Sequence, residues 1–367
     1  PWGIGKFQMS GIADIDLPGI TLRLFQCNLH RSSGICHGLC ADHNVVSMSA
    51  PAFPSLSSQL KLGIPKGSLE EATISLFDRA GWKIHKHVRN YFPDINDPEI
   101  TARLCRVQEI PGYIRDGVLD LALTGKDWLL ETGIPTEGLD CCGLGKDSAP
   151  AGSEAPARLV SNLIYSKVSN RPARWVLAVA GDSPYRSPAD LAGKRISTEL
   201  EGVTRRYFDK LGIPVHINYS WGATEAKVVE GLADAIVEVT ETETTIRAHG
   251  LRVIDEVLAT NAVLIAGRAA WEDPVKRRKI EQIDLLLQGA LRAESLVCLK
   301  MNAPSARLDA ILDLLPSLNS PTVASLRDPA WLSLETVVDA DLVRDLIPRL
   351  RAQGAEGILE YTLNKVI

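Results

Sequence analysis

Short apolar strands alternate with helix-like segments over residues 174–251, and this alternation restricts the chain to the α/β class. The same order of strand, turn and helix occurs from residue 59 to about residue 127. We assign residues 251–271, which follow the second region, to the first. The chain thus visits the second region between two parts of the first, and we expect two α/β lobes around a cleft. The predicted strands of the second lobe are Trp175–Ala180, Lys194–Thr198, Val215–Tyr219 and Ala233–Val239, and its helices are Ser187–Leu191, Val203–Leu211 and Ala223–Val229.

In the first region, polar or glycine-containing turns follow the predicted strands. A strand ends at Lys66-Gly67, and Ser68 with Glu71 predicts a capping box for a helix over Leu69–Ala80. The carboxyl ends of strands in an open α/β sheet form the ligand crevice, so these turns predict a single site. The other predicted strands are Trp82–Val88, Ile100–Val107 and Val118–Leu123, the last closed by Thr124-Gly125-Lys126-Asp127.

The C-terminal part of the chain has a different pattern. Its predicted order is βαββαβ, which is that of a ferredoxin-like fold. Its predicted elements are Leu296–Met301, Ser305–Leu315, Val323–Leu326, Leu332–Val338, Asp341–Arg351 and Ile358–Leu363. The predicted domains are therefore a leader at 1–58, a first lobe at 59–165 and 251–271, a second lobe at 166–250, a linker helix at 272–292 and a C-terminal domain at 293–367.

Composition excludes several classes of protein. A chain of 367 residues with 45% hydrophobic content has enough apolar side chains for several cores. Its 40 Lys and Arg against 45 Asp and Glu give a net charge of -5, which does not favour a nucleic-acid partner. We expect no membrane span, because no apolar run reaches the roughly 18–20 residues that a bilayer requires.

Residues 1–58 contain many glycines and serines and few acidic residues. This composition resembles an organellar transit peptide, which would place the mature protein in a plastid. The alternative is an artificial leader or mistranslated upstream sequence, for which the cytoplasm is the expected location. We expect no zinc site here, because Cys27, Cys36, His37, Cys40 and His43 lack a CxxC spacing.

The stretch Glu230–Leu251 has the strongest local signal for a ligand. An apolar strand leads into a cluster of threonines that opens a helix, and the backbone N–H groups of such a turn favour phosphate. The alternative is an ordinary turn with threonine caps, because no glycine lies between Asp234 and Thr245. The residues alone leave both interpretations open.

Several ordered motifs resemble ATP phosphoribosyltransferase in its long form, which has a C-terminal regulatory domain. The resemblance extends from about Leu60 to Ile367. Its most specific motif is GLADAIVEVTETETTIRAHGL at 231–251, which is similar to the family's phosphoribosyl-binding signature. The supporting motifs are PKGSL at 65–69, RVQEIPGYIRDGVLDLALTGKD at 106–127, GKRISTE at 193–199, TRRYF at 204–208 and MNAP at 301–304.

The resemblance implies an enzyme that joins ATP to phosphoribosyl diphosphate, with magnesium carried mainly by the substrate diphosphate rather than by protein ligands. It also implies feedback inhibition by histidine and a homohexamer or dimer. The implied catalytic residues are Asp234, which would hold the ribose hydroxyls, and Arg106. The implied binding residues are Asp234, Ala235, Thr242, Glu243, Thr244 and Thr245 for phosphoribosyl diphosphate, and Lys66, Gly67, Arg106, Gly125 and Asp127 for ATP.

Some residues have a simpler interpretation. The alternative for Asp234 is that it only terminates a strand, and the alternative for Lys66 is that it only neutralises a neighbouring helix. Glu243 stands where the family's loop commonly has glycine, so we expect its carboxylate to point away from phosphate and only its backbone N–H to bind there. A non-catalytic, two-lobed binding protein of the periplasmic type or a regulatory sensor is the competing hypothesis.

Overall fold

The computed structural model describes residues 59–88, 90–140, 154–165, 172–316 and 320–367, together with the backbone of two short strands near the start. These strands, β1 (Ile15–Leu17) and β2 (Ile20–Leu22), form an antiparallel pair within a unit that spans Pro1–Ala52. The rest of the predicted leader lies outside the described residues, and so does its cluster of cysteines and histidines. A second unit spans Phe53–Ile367.

The first lobe begins with strand–turn–helix units, as predicted. The helix after the first strand starts at Glu70, and its N-cap residue Leu69 makes no side-chain cap, so the predicted capping box of Ser68 and Glu71 is not formed. Instead, both acidic residues of the first turn pair with Lys86. In chain order the elements are β3 (Leu60–Lys66), α1 (Glu70–Ala80), β4 (Ile84–His85), β5 (Asp94–Ile95), β6 (Ile100–Arg106), α2 (Ile110–Arg115), β7 (Leu121–Gly125), α3 (Lys126–Thr132), β8 (Thr136–Glu137) and β9 (Ala157–Leu163).

The second lobe also alternates strands and helices. Its elements are β10 (Ala173–Ala180), a 3₁₀ turn (Pro188–Leu191), β11 (Arg195–Thr198), α4 (Glu201–Leu211), β12 (His216–Tyr219), α5 (Thr224–Val229), β13 (Ala235–Thr240), α6 (Thr244–Ala248) and β14 (Leu251–Thr260). Its five strands lie in the order β12-β11-β13-β10-β14. β11 is parallel to both neighbours, whereas β10 is antiparallel to β13 and β14, so the sheet is mixed.

The chain returns to the first lobe at Asn261. The next strand, β15 (Ala262–Gly267), inserts antiparallel between β7 and β9 and completes a six-stranded sheet in the order β6-β3-β7-β15-β9-β8. The predicted boundary placed residues 251–271 in the first lobe. The structure places β14 in the second lobe instead, because its backbone pairs along the whole of β10.

One buried cluster contains side chains from both lobes. Leu129 and Leu130 of α3 belong to it, together with Trp175, Val203 and Phe208 of the second lobe. The lobes therefore share an apolar core on one side of their junction, where burial of this surface holds them together.

The helix that was predicted as a linker is part of the first lobe. The linker helix was predicted at 272–292. The structure has two helices here, α7 (Arg268–Glu272) and α8 (Pro274–Ala293), which are separated at Asp273, and the side chain of Asp273 accepts the N–H of Val275 at 2.8 Å. Ile280, Ile283 and Leu287 of α8 pack in the same buried cluster as β3 and α1. The apolar face of this helix packs against the first lobe, so the helix is part of that lobe and not a separate linker.

The C-terminal domain has the predicted ferredoxin-like order. The elements are β16 (Leu296–Pro304), a 3₁₀ turn (Ser305–Arg307), α9 (Leu308–Leu312), β17 (Thr322–Ser325), β18 (Trp331–Asp339), α10 (Ala340–Ala352) and β19 (Glu356–Thr362). The four strands form an antiparallel sheet in the order β17-β18-β16-β19, with two helices in the connections.

Across the described ranges, no helix is both long enough and apolar enough to span a membrane.

Candidate active site

A cavity of about 410 Å³ lies between the two lobes. The first lobe lines it with the turns that follow β3, β6 and β7, and the second lobe lines it with the ends of β11 and β13. The crossing from β14 to β15 also lines it. The residues that line it include Ser68, Gly125, Asp127, Trp175, Glu199, Thr240, Thr242, Thr244, Thr245 and Thr260.

The threonine loop between β13 and α6 forms the second lobe's wall of this cavity. Thr242 and Thr244 share a hydrogen bond of 2.8 Å between their hydroxyl groups. The backbone N–H of Glu243 donates to the hydroxyl of Thr240 at 2.7 Å, which closes the loop tightly. The first N–H groups of a helix have no partner within the helix, and Thr244 and Thr245, the first residues of α6, both line this wall.

Glu243 has the backbone conformation that favours glycine. Its φ is +59°, in the left-handed region, which costs a residue with a side chain about 1–2 kcal/mol. Its carboxylate lies outside the cavity lining and bonds to Arg247 at 2.9 Å and Arg174 at 2.8 Å. Hydrogen bonds from Arg247 and then Arg174 lower the pKa of Glu243. The expected outward orientation is therefore present, but its N–H is already bonded within the loop.

Asp234 and Ala235 lie away from the cavity. The carboxylate of Asp234 accepts hydrogen bonds from the Arg195 backbone N–H at 2.9 Å and from its Nε at 3.1 Å. Burial acts to raise the pKa of Asp234, but these bonds outweigh it and leave that pKa lowered. Ala235 is fully buried. Because β13 has 6 residues, its first and last Cα atoms are about 17 Å apart, so the structure does not bring either residue to the threonine loop.

Asp127 lies on the floor of the cavity and joins the two lobes. Its carboxylate accepts hydrogen bonds from Trp175 Nε1 at 2.6 Å and from the Trp128 backbone N–H at 3.0 Å. Its own N–H donates to the hydroxyl of Thr260 at 3.2 Å. Burial raises the pKa of Asp127, although these hydrogen bonds oppose the shift.

Three of the residues implied for ATP line a second cavity of about 640 Å³. Lys66 and Arg106 are register partners at the ends of β3 and β6, and Gly67 follows Lys66. The ammonium of Lys66 lies 4.2 Å from the centre of the Tyr91 ring. Gly67 lines this cavity and Ser68 lines the first, so neighbouring residues of the turn between β3 and α1 contribute to both.

Three carboxylates at or near the cavity were not predicted from the sequence, and one of them, Glu241, lies in the threonine loop. Glu199 lines the cavity directly, and burial raises the pKa of Glu199 even though the Gly222 N–H bonds to its carboxylate. Burial also raises the pKa of Glu238 to about 7, opposed by a hydrogen bond with Thr224 and reinforced by nearby carboxylates, including Glu199. A charged side chain in an otherwise apolar strand, on the same face as Thr240, is the signal that could have found Glu238.

No group of three or more His, Cys, Asp or Glu side chains in the described part of the chain is arranged to hold a metal ion. The carboxylates that line the cavity are divided between the lobes: Asp127 belongs to the first, whereas Glu199 and Glu241 belong to the second.

Residues 106–289 match the family model of ATP phosphoribosyltransferase, HisG, and residues 293–365 match that of the HisG C-terminal domain. The ATP phosphoribosyltransferase of Nitratidesulfovibrio vulgaris (strain DSM 19637 / Miyazaki F) is 72% identical over 311 residues, which cover 85% of this chain and 99% of that protein. That of Desulfatibacillum aliphaticivorans is 56% identical over 312 residues, covering 85% of this chain and 100% of that protein.

Among solved structures, the ATP phosphoribosyl transferase (HisG:HisZ) complex from Thermotoga maritima aligns with a TM-score of 0.47 and 24% identity, over 63% of this chain and 96% of that chain. The close relatives are bacterial, which argues against the predicted plastid location. From these matches, the chain belongs to the ATP phosphoribosyltransferase family, in the long form with a C-terminal HisG domain.

Proposed function

We propose that the cavity between the lobes carries out the reaction of this family. Adenine N1 of ATP attacks the anomeric carbon of phosphoribosyl diphosphate, the bond to the diphosphate breaks, and pyrophosphate leaves with its electron pair. The product is 1-(5-phosphoribosyl)-ATP, in the first step of histidine biosynthesis. The observation that supports this assignment is a single cavity with the threonine loop on one wall and the turn at Gly125 on the other.

The threonine loop would hold the 5′-phosphate. Thr242, Thr244 and Thr245 present hydroxyl groups to the cavity, and the first turn of α6 adds backbone N–H donors. Hydrogen bonds to an anionic oxygen are shorter and stronger than neutral ones, so several donors can hold the phosphate without a charged side chain. The carboxylate of Glu243 would not repel the phosphate, because two arginines hold it on the other side of the loop.

Glu199 and Glu238 are better placed than Asp234 to act on the ribose. Positive charge develops on the ribose as pyrophosphate departs, and a preorganised carboxylate stabilises such charge. Glu199 lines the cavity, and Glu238 lies near it on the strand that leads into the threonine loop. We therefore assign the role expected for Asp234 to these two residues.

The ATP side would use both cavities. Lys66 and Arg106 provide positive charge in the second cavity, where the triphosphate would bind, and Tyr91 lies beside Lys66. The adenine would lie in the first cavity, next to Ser68 of the turn whose Gly67 lines the second. Gly125 and Asp127 would shape the floor beneath the adenine and make no strong contact with the phosphates. Arg106 therefore binds substrate in this scheme and transfers no proton.

Magnesium would be bound mainly by oxygens of the substrate diphosphate and by water, as this hard cation prefers. When bound, it would neutralise charge on the leaving pyrophosphate. Glu199 and Glu241 could each add a carboxylate oxygen, because both line the cavity from the second lobe.

The direct test is the formation of phosphoribosyl-ATP and pyrophosphate from ATP, phosphoribosyl diphosphate and magnesium. The expected result is turnover that needs all three components. Substrate binding with no turnover would contradict the assignment and favour a non-catalytic binding protein.

Repeating the assay with histidine tests the further proposal that residues 293–367 mediate feedback inhibition, and sedimentation tests the proposed homohexamer or dimer. The proposed location is the bacterial cytoplasm.

The raised pKa of Glu238 predicts a pH dependence of phosphoribosyl diphosphate binding. Its pKa of about 7 means that the carboxyl group is neutral at lower pH and ionised at higher pH. If the ionised form holds the ribose, the affinity should fall about tenfold from pH 8 to pH 6, since binding then requires loss of a proton. Titration calorimetry across this range would measure it.

The matched variant is Glu238→Gln, which should bind more weakly at pH 8 and lose most of this pH dependence. Any residual dependence in the variant reports the phosphate of the substrate, which titrates near pH 6. An unchanged pH profile in Glu238→Gln would remove Glu238 from the ribose site.

Replacing Glu243 with glycine should keep or improve the affinity for phosphoribosyl diphosphate, by up to a few-fold. Glycine adopts the left-handed backbone without strain, and its introduction releases Arg174 and Arg247 from their carboxylate partner. Glu256→Gln is the control, because Glu256 also pairs with Arg174, at 3.1 Å, from outside the loop. A large loss of affinity in Glu243→Gly alone would show that the carboxylate itself supports binding.

A further inference from the structure

A side chain of the first lobe caps a helix of the second. Glu131, near the end of α3, accepts the backbone N–H of Gly202 at 2.8 Å and that of Val203 at 2.8 Å. Both N–H groups belong to the first turn of α4, where a helix leaves its N–H groups without internal partners. Because the N-terminal end of a helix is positive, a carboxylate is the favoured partner there.

Two other features strengthen this contact. Arg206 of α4 donates from Nη2 to the backbone oxygen of Leu130 in α3, at 2.6 Å, so each helix bonds to the other. Gly202 lets the helices approach closely, because a Cβ at this position would lie 3.2 Å from Glu131 Oε2 and 3.3 Å from the Glu131 backbone oxygen. The contact between α3 and α4 is therefore made by side chains and backbone of both lobes.

Both joined helices are connected to cavity walls. For α3 the wall lies at the end away from Glu131, and for α4 it lies beside the N-terminal end that Glu131 caps. α3 begins directly after Gly125 and includes Asp127, which both line the cavity from the first lobe. α4 begins two residues after Glu199, which lines it from the second lobe. A shift of α4 relative to α3 would therefore move Glu199 relative to Gly125 and Asp127.

We propose that Glu131 is a positioning residue, which holds the phosphoribosyl wall and the adenine wall of the cavity at the separation that transfer requires. Glu131 does not line the cavity, so it would act only through α3 and α4. The inference rests on the proposed function, because in-line transfer depends on placing two bound substrates. A misplacement of about 1 Å can cost about a hundredfold in rate.

The test compares Glu131→Ala and Glu131→Gln with the wild-type chain. We expect Glu131→Ala to lower kcat tenfold or more, which is within the range that misplacement produces. The dissociation constant of each substrate that the wild type binds alone should change less than about threefold, because each half-site lies mainly within one lobe. Glu131→Gln should recover part of kcat, since its amide oxygen can still accept one of the two N–H groups.

Asp190→Ala is the matched control. The Asp190 carboxylate accepts the backbone N–H of Arg186 at 2.8 Å and that of Ser187 at 2.9 Å, but within the second lobe alone. It should lower the unfolding temperature without lowering kcat. If Glu131→Ala behaves like Asp190→Ala, or if its kcat equals that of the wild type, the inference fails. Absence of turnover in the wild type would instead contradict the proposed function.

Discussion

Replacing Gly125 with alanine is expected to lower kcat/KM about a hundredfold, because a misplaced wall of a two-substrate site has effects of this size. A Cβ at this position would lie 2.0 Å from Asp127 Oδ1 and 3.1 Å from its Cγ. Asp127 cannot simply rotate away, because Trp175 and the Trp128 backbone N–H hold its carboxylate. The clash would therefore displace the floor of the cavity. Steady-state kinetics with both substrates varied would measure the loss.

The control for this substitution is Gly112→Ala. Gly112 lies in α2, and an added Cβ there would meet no heavy atom within 4 Å. Alanine favours a helix over glycine by about 1 kcal/mol, so this variant should be at least as stable as the wild type and fully active. If Gly125→Ala retains activity equal to that of Gly112→Ala, the floor of the cavity is more adaptable than the packing around Asp127 indicates.

Replacing Asp127 with alanine is expected to lower the free energy of unfolding by about 1–3 kcal/mol, the usual cost of leaving a buried donor without a partner. The stranded donor would be Trp175 Nε1, whose side chain is only 2% exposed. The substitution would also remove a hydrogen bond between α3 of the first lobe and β10 of the second. Chemical denaturation followed by tryptophan fluorescence and circular dichroism would measure it.

Two further variants separate this cause from a general loss of charge. Asp116→Ala removes an exposed carboxylate whose partner is Arg115, and should leave the free energy of unfolding unchanged within the error of the measurement. Adding Trp175→Phe to Asp127→Ala removes the stranded donor. The double variant should therefore lose less free energy of unfolding than the two single variants lose together. Strictly additive losses would show that the two side chains are not coupled.

The class of fold could be predicted from local patterns. Strand and helix periodicity located most elements of both lobes, and the βαββαβ order of the C-terminal domain is confirmed. The strand Ala157–Leu163 was missed because Ser161 and Asn162 interrupt its apolar pattern and most of its side chains are half-buried. The direction of β10 was also not predictable, because a single strand has the same pattern in parallel and antiparallel pairs.

The candidate site was predicted less completely than the fold. Thr242, Thr244 and Thr245 do line the cavity, because a polar loop at the carboxyl end of a strand opens to the ligand crevice. Asp234 belongs to the same motif but lies at the other end of the strand. Residues that are close together in a motif can lie at opposite ends of a strand, because each strand residue adds about 3.3 Å to the distance between them.

The sequence by itself determined the alternation of strands and helices, the ferredoxin-like tail and the threonine loop, because these depend on neighbours a few residues apart. Only the tertiary structure decided which carboxylates surround the cavity and which side chains join the lobes. Asp127 and Trp175 are 48 residues apart in the chain, and Glu131 and Gly202 are 71 apart. Such contacts depend on how two sheets pack together, and no local periodicity records that arrangement.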